Sequence, residues 1–540
     1  MKISRTVIAA ALVSAVWGGA CAAHDATVMP AVAADAALAA ASTAPAFDLD
    51  ADAARVLKTF DVPGMAVAIV KDGKVVVAKG YGVRKLGEAT PVDGQTLFEI
   101  ASNSKAFTAA TLAMLVDEGK LAWDDPVTKH LPGFQMYDSY VTGQMTVRDL
   151  LTHRSGLGLG AGDLLWWPST QFSTDEIIER LRYVKPATSF RSAYAYDNLL
   201  YIVAGKIIAE KTGKPWDAAV QERILDPLGM RGTKTSVAEM LATADHSAPH
   251  SKINDRIAVV KPMPVPNAVG AVGIDTSAED IARWMTLLLN GGKTAEGKQL
   301  ISAKQIGEMW SEQTPIRIRD PKPALMATKP NFLAYGLGFQ LRDYKGRKLA
   351  MHGGALQGFY STVLMVPEEK LGIAILTNAE NSPAMAALYY RVLDQYLKVP
   401  ATDWIKLYAE QEAAAHKEEL ERQGKEVQAR AAKSTPSLPL AAYDGEYEDA
   451  WYGKVSIRAE GGKHLLRFER TPDLEGVLEH FQHDSFIVHW KERNFNADAY
   501  VSFALNPDGS IERMKMAPVS TETDFSYDFR DLSFTPVKKK

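Results

Sequence analysis

Residues 64–80 read GMAVAIVKDGKVVVAKG, two β-prone runs, Gly64 to Val70 and Lys74 to Gly80, joined around Asp72-Gly73. An Asp-Gly pair between apolar runs is a strong hairpin signal, because both residues tolerate the positive φ that a tight turn requires. An antiparallel sheet therefore begins here. Short β-prone segments return far down the chain, at Tyr335 to Arg342, Lys348 to His352, Phe359 to Val366 and Gly372 to Thr377. Between the two groups lie helical stretches. Ser102 to Glu118 is rich in Ala, Leu, Met and Thr and stops at Gly119; Leu199 to Lys211 and Ala278 to Leu289 follow. Strands at both ends of one region must meet in a shared sheet. The pattern predicts an α+β fold, an antiparallel sheet flanked by helices with an all-helical insertion.

The 540 residues, 46% of them hydrophobic, leave room for more than one domain. Trp404 to Ala432 is a charged helical stretch whose spacing suits a solvated surface helix, and Pro436 and Pro439 break it, which predicts a linker. From Tyr443 onward short alternating strands such as Lys454 to Arg458, Leu465 to Phe468 and Phe486 to Trp490 predict a small C-terminal all-β domain, a barrel or a sandwich. Trp451, Tyr452 and Trp490 there read as core ahead of a substrate mouth.

At the other end, Lys2 and Arg5, the apolar run Val7 to Trp17 and small residues through Ala23 read as a secretory signal, with cleavage expected after Ala22 or Ala23. The run is too short to span a membrane comfortably, and no later stretch of about 20 apolar residues offers a span. Cys21 is the only cysteine. Because it lies in the signal, the mature chain has neither a disulfide nor a cysteine metal site. Lipid attachment at Cys21 is the less favoured reading, since Gly18 is not the Leu-like residue such a site prefers. The expected layout is signal 1–23, flexible Ala-rich spacer 24–47, α+β domain 48–402, helical linker 403–439 and β domain 440–540, in the periplasm. A net charge of −4 without charge blocks gives no footprint for nucleic acid. No metal or cofactor is expected, and the oligomeric state is not legible.

Three motifs carry chemistry. Ser102-Asn103-Ser104-Lys105 places a serine and a lysine three apart at the start of a buried helix, where both share a face. A bare serine is a poor nucleophile at neutral pH, whereas a lysine desolvated by apolar neighbours loses its proton and serves as a base. The same tetrad also fits a capping serine followed by a surface lysine. Tyr196-Asp197-Asn198 precedes a helix, so a phenol beside a cationic lysine becomes a proton shuttle and Asn198 can bind a substrate amide. Its plainer reading is a buried tyrosine next to a turn. His352-Gly353-Gly354 ends a strand whose glycines admit a substrate backbone, or it is an ordinary turn.

Together, and in this order, the motifs resemble those of the serine β-lactamase and penicillin-recognising family, Ser-x-x-Lys, Tyr-x-Asn, then Lys-Thr-Gly or His-x-Gly. Phe98-Glu99-Ile100, the stretch Leu150 to Leu157 (LLTHRSGL) and Asp226 to Met230 (DPLGM) extend the resemblance over roughly residues 50 to 400. It implies an acyl-enzyme on Ser102, with Lys105 and Tyr196 handling the proton, Asn198 holding substrate, and the oxyanion between the N–H groups of Ser102 and Ala355. His352 departs from the lysine of dedicated β-lactamases, which helps bind the antibiotic's carboxylate; His-x-Gly is similar to the D-aminopeptidase and esterase branch. A neutral histidine supplies no permanent cation. The resemblance implies amide hydrolysis of short peptides, including those with D- or unusual residues, ahead of ester or weak β-lactam hydrolysis or a non-catalytic sensor that acylates without turnover. The layout also resembles the periplasmic hydrolases that cleave linearised microcystin in sphingomonads.

Overall fold

A computed structural model describes residues 46–431 and 433–538. The signal, Cys21 and all of the spacer except Ala46 and Phe47 lie outside the described residues.

The hairpin forms strands β1 (Gly64–Lys71) and β2 (Lys74–Gly82), with Asp72 at φ 52° and Gly73 at φ 75° in the turn. Four further strands complete most of the sheet: β5 (Gln340–Tyr344), β6 (Arg347–Leu356), β7 (Phe359–Val366) and β8 (Leu371–Thr377). Two short ones, β3 (Thr314–Pro315) and β4 (Leu333–Tyr335), form its far edge. The order of this eight-stranded sheet is β2-β1-β8-β7-β6-β5-β4-β3. β1 pairs antiparallel with β8, Val67 opposite Ile375, so the two ends of the region do share one sheet.

Side-chain alternation splits the sheet between two cores. Ala66, Ala68, Val70, Ala374 and Leu376 face a core that includes helices α2 (Ser104–Asp117), α3 (Leu199–Thr212) and α4 (Ala278–Leu289). Met65, Val67, Ile69, Ile373 and Ile375 face the other, built with α1 (Leu49–Thr59), α5 (Ser382–Tyr396) and the first turn of α6 (Trp404–Ala429). Phe107 of α2 stacks on Trp284 of α4 at 4.2 Å, fixing the helix that carries Lys105 against the helix behind it.

Two expectations need correction. Tyr335 to Arg342 is not one strand; a turn through Gly338 at φ 78° separates β4 from β5. A Cβ on Gly338 would come within 2.9 Å of the Lys105 carbonyl, so the turn's contact with α2 requires glycine. Helix α6 is not simply solvated. Trp404 is buried beside Tyr390 and donates to Asp394 Oδ2 at 2.7 Å. Near the other end, Glu419 accepts from Ser520 Oγ and Thr521 Oγ1 at 2.9 and 2.7 Å, and Arg422 donates to the Val519 carbonyl at 2.9 Å. The helix is a strut packed on both domains.

The C-terminal strands are β9 (Gly445–Asp449), β10 (Gly453–Glu460), β11 (Lys463–Phe468), β12 (Glu475–Gln482), β13 (Ser485–Trp490), β14 (Ala499–Leu505), β15 (Ile511–Pro518) and β16 (Thr535–Pro536). They follow one another in an antiparallel meander with β16 added beside β9. Phe534, just before β16, exchanges backbone hydrogen bonds of 2.9 and 3.1 Å with Met514 of β15, drawing the edges into a nearly closed barrel. Trp451, Tyr452 and Trp490 are buried in its core and do not reach a substrate mouth.

Candidate active site

Ser102 does not open the α-helix itself. It sits in a 3₁₀ turn, Ala101–Asn103, that runs into α2. Ala101 is held at φ 49°, a left-handed conformation costing a non-glycine residue on the order of 1–3 kcal/mol. Its neighbours fix it there. The Ile100 N–H donates to the Ile274 carbonyl at 3.0 Å, and the Ile100 carbonyl accepts from the Asn103 N–H at 3.1 Å and from Ser361 Oγ at 2.8 Å. A Cβ on Gly354 would lie 2.1 Å from that carbonyl, so β6 approaches the serine turn only because this position is glycine. Ser102 in the 3₁₀ turn and Lys105 in the first turn of α2 are three residues apart, a spacing that puts both on one face of the helical run. Lys105 Nζ donates to Ser102 Oγ at 2.9 Å.

Lys105 is fully buried. Its Nζ also donates to Asn198 Oδ1 at 2.7 Å and stands 4.9 Å and 5.3 Å from the ring centres of Tyr196 and Tyr201. Burial pulls the amine down from 10.5 to about 7, against the opposing pull of Asp163 and Asp197. Tyr196 reverses an expectation. Burial pushes its phenol well above 10, outweighing the contact with Ser102, so the proton stays on the tyrosine in the resting site.

His352 lies at the cleft with both ring nitrogens engaged. Nδ1–H donates to the Gly353 carbonyl at 2.6 Å, which leaves Nε2 to accept from the Tyr335 hydroxyl at 2.8 Å. Burial, helped by the charge of Lys105, lowers it from 6.5 to about 3, so the ring is neutral. β6 pairs with β7 through Leu356 but with β5 only as far as Met351. Residues 352–356 therefore lack a strand neighbour on the β5 side.

A cleft of about 630 Å³ gathers Ser102, Tyr196, Asn198, His352, Gly353, Gly354 and Ala355 on its walls, with Lys105 behind Ser102. Sequence reasoning missed several neighbours. Loop 158–172 supplies Trp166 and Trp167 to the wall and buries Asp163 behind Asn198. Asp163 accepts from Asn198 Nδ2 at 2.7 Å and Trp166 Nε1 at 2.9 Å, and burial raises its carboxyl to about 7. His153, within the LLTHRSGL stretch, packs with its ring centre 4.2 Å from that of Tyr196, the planes tilted by 37°, and accepts the Asp197 N–H at 3.2 Å. The barrel contributes Asp524, Phe525 and Ser526, for which the sequence carries no signal. Such a site can attack a carbonyl with a serine hydroxyl, take up its proton on a buried amine and deliver a proton from a phenol.

Residues 49–397 match the family described as β-lactamase, and residues 429–536 match a domain of unknown function. An unguisins hydrolase of Aspergillus campestris is 30% identical over 498 residues, covering 86% of this chain and 88% of that protein. Among solved structures, the octameric penicillin-binding protein homologue of Pyrococcus abyssi aligns with TM-score 0.56 at 22% identity, over 90% of this chain and 98% of that one. The D-amino acid amidase of Ochrobactrum anthropi aligns with TM-score 0.54 at 23% identity, over 64% and 98%.

Proposed function

The chain belongs to the β-lactamase family of serine hydrolases, and from that premise we propose that it cleaves amide bonds of short linear peptides in the periplasm through an acyl-enzyme on Ser102. Peptides with D- or unusual residues, such as linearised microcystin, are the proposed substrates. The observation that carries the reading is the contact of 2.9 Å between Ser102 Oγ and a buried Lys105 amine held at about 7. Burial thus brings the neutral amine within reach near neutral pH.

In the proposed cycle Ser102 Oγ bonds to the substrate carbonyl carbon while its proton passes to Lys105. The Ser102 and Ala355 N–H groups face the oxyanion. Tyr196, a protonated phenol at neutral pH, gives its proton to the departing nitrogen as the C–N bond breaks, and Lys105 replenishes it. Water then hydrolyses the ester on Ser102 by the reverse route. Peptide substrates fit the unpaired edge of residues 352–356, where an extended backbone can add as a strand. The cleft volume falls in the range of small-ligand sites, roughly 300–1,000 Å³.

Purified enzyme incubated with matched short peptides and esters, of L and D configuration, tests the substrate class. Amide cleavage products are expected by mass spectrometry; turnover of esters alone would refute the peptide reading. Position 352 separates peptides from antibiotics. His352→Ala leaves the Tyr335 hydroxyl without its acceptor, and peptide kcat/KM is expected to fall by one to three decades, about 1.4 to 4 kcal/mol. His352→Lys supplies a cation for a β-lactam carboxylate and is expected to raise cephalosporin acylation relative to peptide cleavage. Unchanged ratios in both variants would mean that His352 does not set specificity.

A further inference from the structure

Residues 524–528 leave the barrel between β15 and β16 and press on loop 158–163 of the hydrolase domain. A Cβ on Gly160 would meet the Phe525 carbonyl at 2.8 Å, and the Gly162 N–H donates to Asp528 Oδ2 at 2.8 Å. The Phe525 ring stands edge-on to Tyr196 at 5.9 Å. Between these contacts Ser526 Oγ, itself buried, donates to Asp163 Oδ2 at 2.8 Å.

That hydroxyl ends a chain leading to the nucleophile. Asp163 Oδ2 accepts from both Ser526 and Asn198 Nδ2. With its Nδ2 committed to Asp163, the Asn198 amide must present Oδ1 to Lys105 Nζ, 2.7 Å away. The opposite orientation would set the NH₂ group against the amine and the carbonyl against a carboxylate. We infer that the barrel, a domain of unknown function, completes the hydrolytic site through Ser526, a positioning residue that holds Asp163 as an acceptor and thereby orients Asn198 toward Lys105. This rests on the role proposed for Ser102 and Lys105.

The electrostatics give the role a signature. Lys105 is faced by Asp163 and Asp197, by His153 and His352, and by the rings of Tyr196 and Tyr201. Asp163 is faced by Lys105 and Ser526 and also acts on Asp197, Asp528 and Tyr196, and Ser526 in turn faces Asp524, whose Oδ1 accepts the Ser526 N–H at 2.8 Å. Ser526 favours the Asp163 carboxylate, and that charge favours the Lys105 ammonium. Removing the hydroxyl makes Asp163 easier to protonate. Lys105 loses part of the negative charge that sustains its proton and gives the proton up at lower pH.

The test compares full-length Ser526→Ala with wild type in the pH profile of peptide kcat/KM, with thermal melting as the check on folding. The acidic limb should move to lower pH by about half a unit, and kcat should fall several-fold. Ser526→Thr, which keeps the hydroxyl, should restore the wild-type limb. Should the alanine variant fail to fold, Ser526→Thr and Ser526→Val, equal in shape and differing in the hydroxyl, carry the same comparison. An acidic limb that stays in place without the hydroxyl, whatever the activity, overturns the inference, because a purely structural contact would change rate or stability alone. Ser102→Ala distinguishes the two failures: if it stays active, the site reading falls; if it is inactive while the limb is unmoved by Ser526, only the inference does.

Discussion

Ser102→Ala is expected to lose turnover by about 10⁴-fold or more while the protein stays folded. The hydroxyl meets both demands on a nucleophile: it accepts from Lys105 Nζ at 2.9 Å and it lines the cavity where a carbonyl must sit. The fold does not lean on it heavily. The 3₁₀ turn is fixed by backbone bonds at Ile100 and by Ser361, none of which uses the Ser102 side chain, and Lys105 retains Asn198 as a partner. Losing one hydrogen bond to an amine should cost no more than about 1–3 kcal/mol. Peptide turnover and thermal melting of the same preparation check both halves. A folded variant with near-normal activity would end the serine mechanism.

Lys105→Ala is expected to lower acylation by about 10³-fold or more, since it deletes the base. The wild-type profile should show why. An amine whose folded-state value is lowered from 10.5 to about 7 is an ammonium below that pH and cannot take the Ser102 proton; above it the amine is free. Thus kcat/KM should rise tenfold per unit toward pH 7 and level off beyond. Asp163 and Asp197, both raised to about 7 by burial, share protons with Lys105, so the limb belongs to the cluster. In Lys105→Ala the residual rate should lose the share of this limb that the amine supplies, so its rise toward pH 7 should be shallower than in wild type. A fluorophosphonate labelling rate equal to wild type in that variant would contradict the role of Lys105.

How much of this was legible in the sequence follows from how far apart the interacting residues lie. The hairpin at Asp72-Gly73, the strand Phe359–Val366 and the helix Ala278–Leu289 are set by local turn chemistry and periodicity, and the structure places them where the pattern does. Ser102 and Lys105 are three residues apart, so one turn of backbone brings them together. The split of Tyr335 to Arg342 was hidden because its cause is tertiary, the press of Gly338 on the Lys105 carbonyl. Tyr196 misled for a related reason. A nearby lysine suggests a phenolate, but burial of both groups weakens the charge and raises the phenol at once. The bond from Ser526 to Asp163 spans 363 residues, and Asp524-Phe525-Ser526 follows no motif. Nothing short of the folded chain reveals that the barrel borders the cleft.

The acyl-enzyme on Ser102 is the central claim, and a fluorophosphonate titration with peptide mapping tests it most directly. The account predicts one equivalent of label, located on Ser102, with peptide turnover lost in step with its attachment and no label on the Ser102→Ala variant. Label on another serine, or full turnover by enzyme carrying one equivalent, would contradict it.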